Sequence, residues 1–221
     1  MGRTVELVHT EQLSKSFKDV FQLGPLDLRV AAGEVLGVLG PEGAGKTTLL
    51  RLVWGFMRPD HGRIFVFGMQ PHLNQVNVRR RAGYLSESPQ FCTALTARQF
   101  LQFVGNFYDG WEETHACRLL EQFGMHPDLK VEKLSKGNRI KLGLVSAVGH
   151  HPSLLILDEP TLGLDSLDRL EILHFLSKLA REQHVSILIS SHISDDLDHI
   201  ADSILTLNNG RVVEYARTSC E

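Results

Sequence analysis

The sequence has no uninterrupted apolar run of about 18 residues, the length a membrane-crossing helix requires. Its opening residues, MGRTVELVHT, also lack the apolar centre of a secretory signal. The Met1-Gly2 start fails as a myristoylation site because Glu6 stands where Ser or Thr is needed. These absences predict a chain that is soluble when isolated and reaches a membrane only through a partner. Cysteine is scarce: Cys92, Cys117 and Cys220 are odd in number and widely spaced, with no C-x-x-C pair. That excludes a disulfide framework and a cysteine zinc site, and it fits a reducing compartment. The 11 histidines lack ligand spacing with acidic or cysteine partners, so His150, His151 and the rest read as surface or core residues. An excess of positive charge is missing too. The 23 Lys and Arg against 26 Asp and Glu give a formal charge of −3, which leaves no electrostatic footprint for nucleic acid or an anionic membrane. The short cluster Arg79-Arg80-Arg81 reads as a solvated face. No internal repeat and no low-complexity linker divides the chain.

What is present is strand and helix alternation with a helical interruption. In the first third, LDLRV (Leu26 to Val30) alternates apolar and polar residues and RIFVF (Arg63 to Phe67) is β-branched and aromatic; both read as short strands. EVLGVLG between them is a near-continuous apolar run, as in a strand buried on both faces. The helix LLRLVWGF follows and stops at Gly55, with Pro59 behind it. The middle third is helical. A capping box, Thr96 with Gln99, opens a helix that places Phe100, Val104 and Phe107 on one face. A second helix carries Ala116, Leu119, Leu120 and Phe123, and a third runs from Ser135 to about Gly149. In the last third come the strand LLIL, a helix from about Asp165 to Arg181, the strand VSILIS, and a short helix capped by Ser194. A hairpin with an Asn-Gly turn follows. The pattern predicts an α/β core, residues 1–85 and 153–221, with a helical insertion over 86–152.

The most specific motif is GPEGAGKT, Gly40 to Thr47, which satisfies G-x-x-x-x-G-K-[ST] between a buried strand and a helix. Gly43 and Gly45 let the backbone curl so that N–H groups converge on an anion at a helix N-terminus. Gly40, Pro41, Glu42, Gly43, Ala44, Gly45, Lys46, Thr47 and Thr48 are therefore expected to hold a nucleotide's phosphates. Lys46 would reach the terminal ones, and the Thr47 hydroxyl would ligate Mg²⁺. LLILDEP puts Asp158 and Glu159 at the tip of a second buried strand, where parallel sheets bind ligands. Asp158 suits the same metal, and Glu159 suits polarisation of an attacking water. ILISSHIS ends a third strand, with His192 projecting toward the γ-phosphate. Glu159, His192 and Lys46 are the catalytic candidates.

With three strand tips carrying this chemistry, the sequence resembles the ATP-binding-cassette (ABC) transporter ATPases over nearly its whole length. The resemblance implies a P-loop NTPase (RecA-like) core with an N-terminal antiparallel β subdomain and an inserted α-helical subdomain. LSKGN, Leu134 to Asn138, is by itself an ordinary helix start with Ser135 as N-cap. It sits, however, where the family carries its signature sequence, so Ser135, Lys136, Gly137 and Asn138 are expected to close over a nucleotide held by a second cassette. TLGLD matches the D-loop, ending in Asp165. Phe17 matches the aromatic that stacks on adenine, although a plain strand residue is the alternative. Details such as FYDGW look most like the bacterial drug- and peptide-antibiotic-exporter branch. The implied assembly is a dimer with itself or a paralogue. It docks on an integral membrane permease through the region after the Q-loop, on the cytoplasmic face, uses ATP and Mg²⁺, and takes no nucleic acid. The rival readings are a slow ATP-binding regulatory cassette and a soluble non-transport ABC ATPase.

Four positions depart from the family pattern. Glu87 occupies the Q-loop position, where Gln is commoner; Glu42 replaces a frequent Asn; and Lys136 and Asn138 depart from LSGGQ. A carboxylate about 4 Å from a phosphate charge costs about 4 kcal/mol at an effective dielectric of about 20. Glu87 is therefore expected to approach the Mg²⁺ or be held away. Lys136 is expected to neutralise Glu42 across the dimer.

Overall fold

A computed structural model describes residues 5–18 and 20–218. The readings on Met1, Gly2 and Cys220 lie outside the described residues. In chain order the strands are β1 (Glu6–Phe17), β2 (Phe21–Leu26), β3 (Arg29–Ala31), β4 (Val35–Leu39), β5 (His61–Val66), β6 (Ala82–Leu85), β7 (Leu154–Leu157), β8 (Ser186–Ser191), β9 (Ser203–Asn208) and β10 (Arg211–Arg217). The helices are α1 (Lys46–Trp54), α2 (Gln75–Arg79), α3 (Ala97–Gly105), α4 (Glu113–Gln122), α5 (Lys136–Val148), α6 (Ser166–Gln183) and α7 (Ser194–Asp198).

The central sheet runs β10-β9-β4-β8-β7-β6, parallel except for the β10 edge. Its inner strands β4, β8 and β7 are buried and largely apolar because both faces are covered there, whereas the β10 edge is exposed along its length. Leu36, Val38, Leu154, Ile156 and Leu188 point to one side, where α1 and the antiparallel sheet of β1, β2, β3 and β5 pack. Val35, Leu155, Leu157, Ile187 and Ile189 point to the other, against α5 and α6. Alternate residues of one strand thus serve two separate cores, as the period of a strand dictates. Helix α1 ends where Gly55 turns left-handed, at φ 79°, and its N–H closes the last turn.

The helical block keeps its predicted caps but not all of its faces. The capping box is formed, with Gln99 N–H donating to Thr96 Oγ1 at 3.2 Å and Thr96 N–H to Gln99 Oε1 at 3.0 Å. Helix α4 buries Ala116, Leu119 and Leu120, and Phe123 follows them into the core. Helix α3 instead buries Ala97 and Leu101, half-buries Phe100 and Val104, and exposes Phe107. The reason is length: α3 stops at Gly105, so Phe107 lies beyond the helix and off its packed face.

Three other expectations are corrected. Leu26 to Val30 is not one strand, because Asp27 turns out to receive the Gln12 N–H and side-chain amide, each at 2.6 Å. The Thr10 hydroxyl bridges the gap by donating to Leu26 O and accepting from Leu28 N–H. Ser194 is the first residue of α7 and not its cap; Ile193 occupies that position and makes no side-chain cap. The Arg79–Arg81 cluster is solvated at Arg80 and Arg81, which are exposed, but not at Arg79, which is half-buried. Arg79 stacks over Trp54 and Phe56, Arg81 lies 4.0 Å from the centre of the Phe67 ring, and Arg80 meets Asp109 at 3.5 Å. Guanidinium groups favour such aromatic faces. The β9–β10 hairpin turns through Asn209 and Gly210, both at positive φ, as its Asn-Gly pair predicts.

His150 links the helical block to the sheet. Its ring stacks on Tyr108 with centroids 3.9 Å apart, and Nε2 lies 3.1 Å from the Ala82 carbonyl, to which it donates. Burial drives its pKa from 6.5 to about 4, against the opposing pull of that carbonyl and with help from His151. The unfolded chain therefore takes up a proton near pH 6.5 that the folded chain refuses until about pH 4, so this residue lowers stability as pH falls through that window. His150→Phe is expected to flatten the loss of unfolding free energy between those two pH values in urea titrations; an unchanged slope would contradict it.

Candidate active site

The register of the parallel strands brings the chemistry together. Leu39 at the end of β4 pairs with Ser191 at the end of β8, and Leu157 at the end of β7 pairs with Ile189. The residues that follow, Gly40, Asp158, Glu159 and His192, consequently emerge side by side at the carboxyl edge of the sheet. From β4 the chain curls through Gly43 and Gly45 at φ 77° and 104°, angles open to glycine. Helix α1 then starts at Lys46 with no side chain capping it, so its first N–H groups stay free to face an anion.

Lys46 is buried, and its ammonium donates to the carbonyls of Gly40 at 2.6 Å and Pro41 at 3.1 Å. It also lies 3.0 Å from Glu159 Oε1. The other oxygen of that carboxylate, Oε2, accepts from His192 Nδ1 at 2.8 Å. One buried carboxylate thus joins an ammonium to an imidazole, and this bond holds the His192 proton on Nδ1, leaving Nε2 turned to the opening. Glu159 itself sits at φ 47°, a backbone strain of about 1–3 kcal/mol for a non-glycine residue. Its N–H is held by Ser190 Oγ at 2.9 Å.

Asp158 is enclosed, with Oδ1 accepting from Thr47 Oγ1 at 3.0 Å and Ser190 Oγ at 2.9 Å. Burial raises its pKa; the two hydroxyl bonds oppose the rise and the Glu159 charge adds to it. Burial, then the Asp158 charge, raises Tyr84 as well.

Above this layer opens a cleft of about 550 Å³, lined by Pro41 to Thr48, Phe21, Glu87, Glu159, Leu162 and His192. Its size is in the range of small-molecule sites. Gly40 and Asp158 lie beneath the lining and support it. Phe17, the expected adenine contact, ends β1 and is not among the residues lining the cleft; the ring in the cleft wall is Phe21, whose centroid is 6.2 Å from that of Phe17. The turn Ser135–Asn138 and Asp165 lie outside this lining. Ser135 caps α5, accepting from Asn138 N–H at 3.1 Å, and Asp165 caps α6. Sequence reading overlooked Ser190 and Phe21. The serine pair in ILISSH, polar residues inside an apolar strand, was the available signal for Ser190; Phe21 carried none beyond its nearness to Phe17.

A family model described as "ABC transporter" matches residues 23–162, well over half of the chain. The chain belongs to the ABC transporter family. This ABC ATPase is 34% identical over 210 residues to the bacitracin transport ATP-binding protein BcrA of Bacillus licheniformis, covering 94% of this chain and 69% of that protein. It is 33% identical to the ABC transporter ATP-binding protein NatA of Bacillus subtilis (strain 168), over 90% of this chain and 85% of the other. A solved ATP-binding subunit of an ABC transporter superposes with a TM-score of 0.86 at 29% identity, covering 96% of this chain and 90% of that one. A dimeric ATP-binding cassette in a post-hydrolysis state, bound to ADP and Pi, superposes with a TM-score of 0.85 at 20% identity, covering 97% of this chain and 100% of that one, a likeness of fold. The expected P-loop NTPase fold and ATPase activity both stand on these relatives.

The two aromatic rings can be told apart by binding. Phe21→Ala is expected to weaken ATP binding by about 1–3 kcal/mol, the worth of one base–aromatic stack, and Phe17→Ala by less, with inorganic triphosphate binding unaffected in both. Titration with a fluorescent ATP analogue checks this, and the reverse ranking would return the stacking role to Phe17.

Proposed function

We propose that this ABC ATPase powers export through a separate integral membrane subunit, two cassettes closing on two ATP molecules. The second cassette is a copy of this chain or a paralogue. The observation that carries the reading is Glu159, whose carboxylate lies 3.0 Å from the Lys46 ammonium and 2.8 Å from the His192 imidazole. When a triphosphate enters the loop, its oxygens compete for Lys46 against Glu159 and the Gly40 and Pro41 carbonyls. Glu159 is then free to accept a proton from a water attacking the terminal phosphorus as the bond to ADP breaks. His192 lines the same cleft, oriented by Glu159 through Nδ1, and Lys46 balances the charge that develops.

The donor set fits Mg²⁺. Thr47 Oγ1 and Asp158 Oδ1 are hard oxygen donors 3.0 Å apart, and Glu87 lies in the same cleft. Among the described residues no group of three or more His, Cys, Asp and Glu could hold a metal unaided. The ion would be held on the protein side by Thr47 and Asp158, with Glu87 in the same cleft. Once bound, it neutralises phosphate charge as a Lewis acid.

Transport is supported by BcrA, a relative named for bacitracin transport; a peptide antibiotic is the cargo class this suggests. The Ser135–Asn138 turn starts α5, where the first backbone N–H groups, apart from that of Asn138 held by Ser135 Oγ, suit an anion held by the other cassette. The membrane subunit would dock beside Glu87 and the helical block, where Phe103 and Phe107 stand exposed, edge to face at 5.3 Å. No helix among the described residues is long and apolar enough to cross a membrane, so attachment to the cytoplasmic face would come through that subunit.

Glu159→Gln is expected to retain ATP binding while phosphate release falls roughly a hundred- to ten-thousand-fold, the range for loss of a general base. Undiminished release would remove Glu159 from that role. Lys136 and Glu42, both exposed, supply a test of the closed pair. Lys136→Glu and Glu42→Lys should each weaken ATP-driven association of the Glu159→Gln protein, and the double reversal should recover part of it. No recovery would refute the pairing.

A further inference from the structure

The start of α6 is joined to both of its neighbours by buried ions at consecutive residues. On one side, Lys141 of α5, its side chain 5% exposed, donates to Asp168 Oδ1 and to Glu171 Oε2, each at 2.6 Å. Burial works against the Lys141 charge, yet the bonds from Asp168 and Glu171 outweigh it and hold the ammonium above its ordinary pKa. Lys141 lies one turn along α5 from Gly137, where the helices pack closely: a Cβ on Gly137 would fall 1.8 Å from Asp168 Oδ2. The Lys136 ammonium reaches over the loop before α6, where a Cβ on Gly163 would be 2.6 Å away. On the other side, Arg169 pairs through Nε with Asp196 Oδ1, and Thr161 Oγ1 donates to Asp196 Oδ2 at 2.6 Å. Asp196 is fully enclosed and lies four residues after His192, and Thr161 lies two after Glu159. Asp165 ties the same turn from within, accepting the N–H groups of Leu167 and Asp168 at 3.0 and 2.9 Å.

We propose that the first two turns of α6 are a positioning element that fixes the Ser135–Asn138 turn relative to Glu159 and His192 within one chain, with Lys141 and Asp196 as its buried anchors. This rests on the two-cassette reading above. A buried ion network contributes register more dependably than stability, and register is what the arrangement needs. The turn on α5 serves the partner's nucleotide while Glu159 and His192 serve the chain's own. Their spacing within each chain therefore decides whether two sites close at once. Lys141, Asp168 and Asp196 lie outside the cleft lining, so their effect is transmitted through position.

The test uses the Glu159→Gln protein with ATP and Mg²⁺, reading nucleotide binding by a fluorescent analogue and association by sedimentation. Adding Lys141→Met should weaken association about tenfold, the usual size of a change at a linking residue, and leave nucleotide binding by the monomer unchanged. Lys141→Arg, which keeps the charge, should restore association. Should Lys141→Met not fold, Asp168→Asn reads the same link with the lysine in place and should weaken association several-fold. Association at parental strength in the foldable variant, or an equal loss of nucleotide binding by the monomer, would overturn the inference. Failure of the Glu159→Gln parent itself to associate would overturn the two-cassette reading, and this inference with it.

Discussion

Two opposite charges, Lys46 at the start of α1 and Glu159 just past the tip of β7, are held 3.0 Å apart, and the site depends on that pair. Neither charge would be tolerated alone in so enclosed a place, because an uncompensated buried ion is strongly destabilising. The pair can exist only because β8 runs between β4 and β7 in a register that levels their ends. A one-residue slip would turn Glu159 into the core and an apolar neighbour outward. The alternating cores of the sheet are therefore also what aims the chemistry. Ser190 shows how closely backbone and chemistry are joined: a single hydroxyl supports the Asp158 carboxylate and the strained backbone of Glu159.

The same economy applies between helices. Helix α6 begins in the loop that leaves Glu159, is capped by Asp165, and meets α5 where only a glycine fits. The helical block is thus not a loose appendage on the nucleotide core. His150 and Tyr108 stack at its junction with the sheet, and Lys141 ties it to α6. On the proposed reading, a chain whose own cleft leaves out the Ser135–Asn138 turn, while holding that turn's distance from Glu159, acts in pairs.

Much of this was legible in the sequence because the signals were local. The phosphate loop needs its glycines and its flanking strand and helix within a few residues, and β7 and β8 announce themselves as apolar runs leading into Asp158-Glu159 and His192. The helix caps at Thr96 and Ser135 are likewise written in adjacent residues. What was hidden depends on contacts between distant segments. The break between β2 and β3 follows from Gln12 seizing Asp27, which no window around Leu26 reveals. Arg79 looked solvated because Trp54 and Phe56, the rings it stacks on, are more than twenty residues away. The choice between Phe17 and Phe21 turns on which ring meets the loop across the sheet: a Cβ on Gly45 would lie 2.9 Å from Phe21 Cζ. The ion network at Lys141 was equally invisible, since its acids lie 27 and 30 residues along the chain.

The central claim is that one chain carries half of each ATP site. The most direct measurement is the specific ATPase activity of the isolated protein across a wide range of its own concentration, at saturating ATP and Mg²⁺. The account predicts that activity per molecule climbs with concentration and levels off as pairs saturate. Activity per molecule that is already full in the most dilute sample, and constant thereafter, would contradict it.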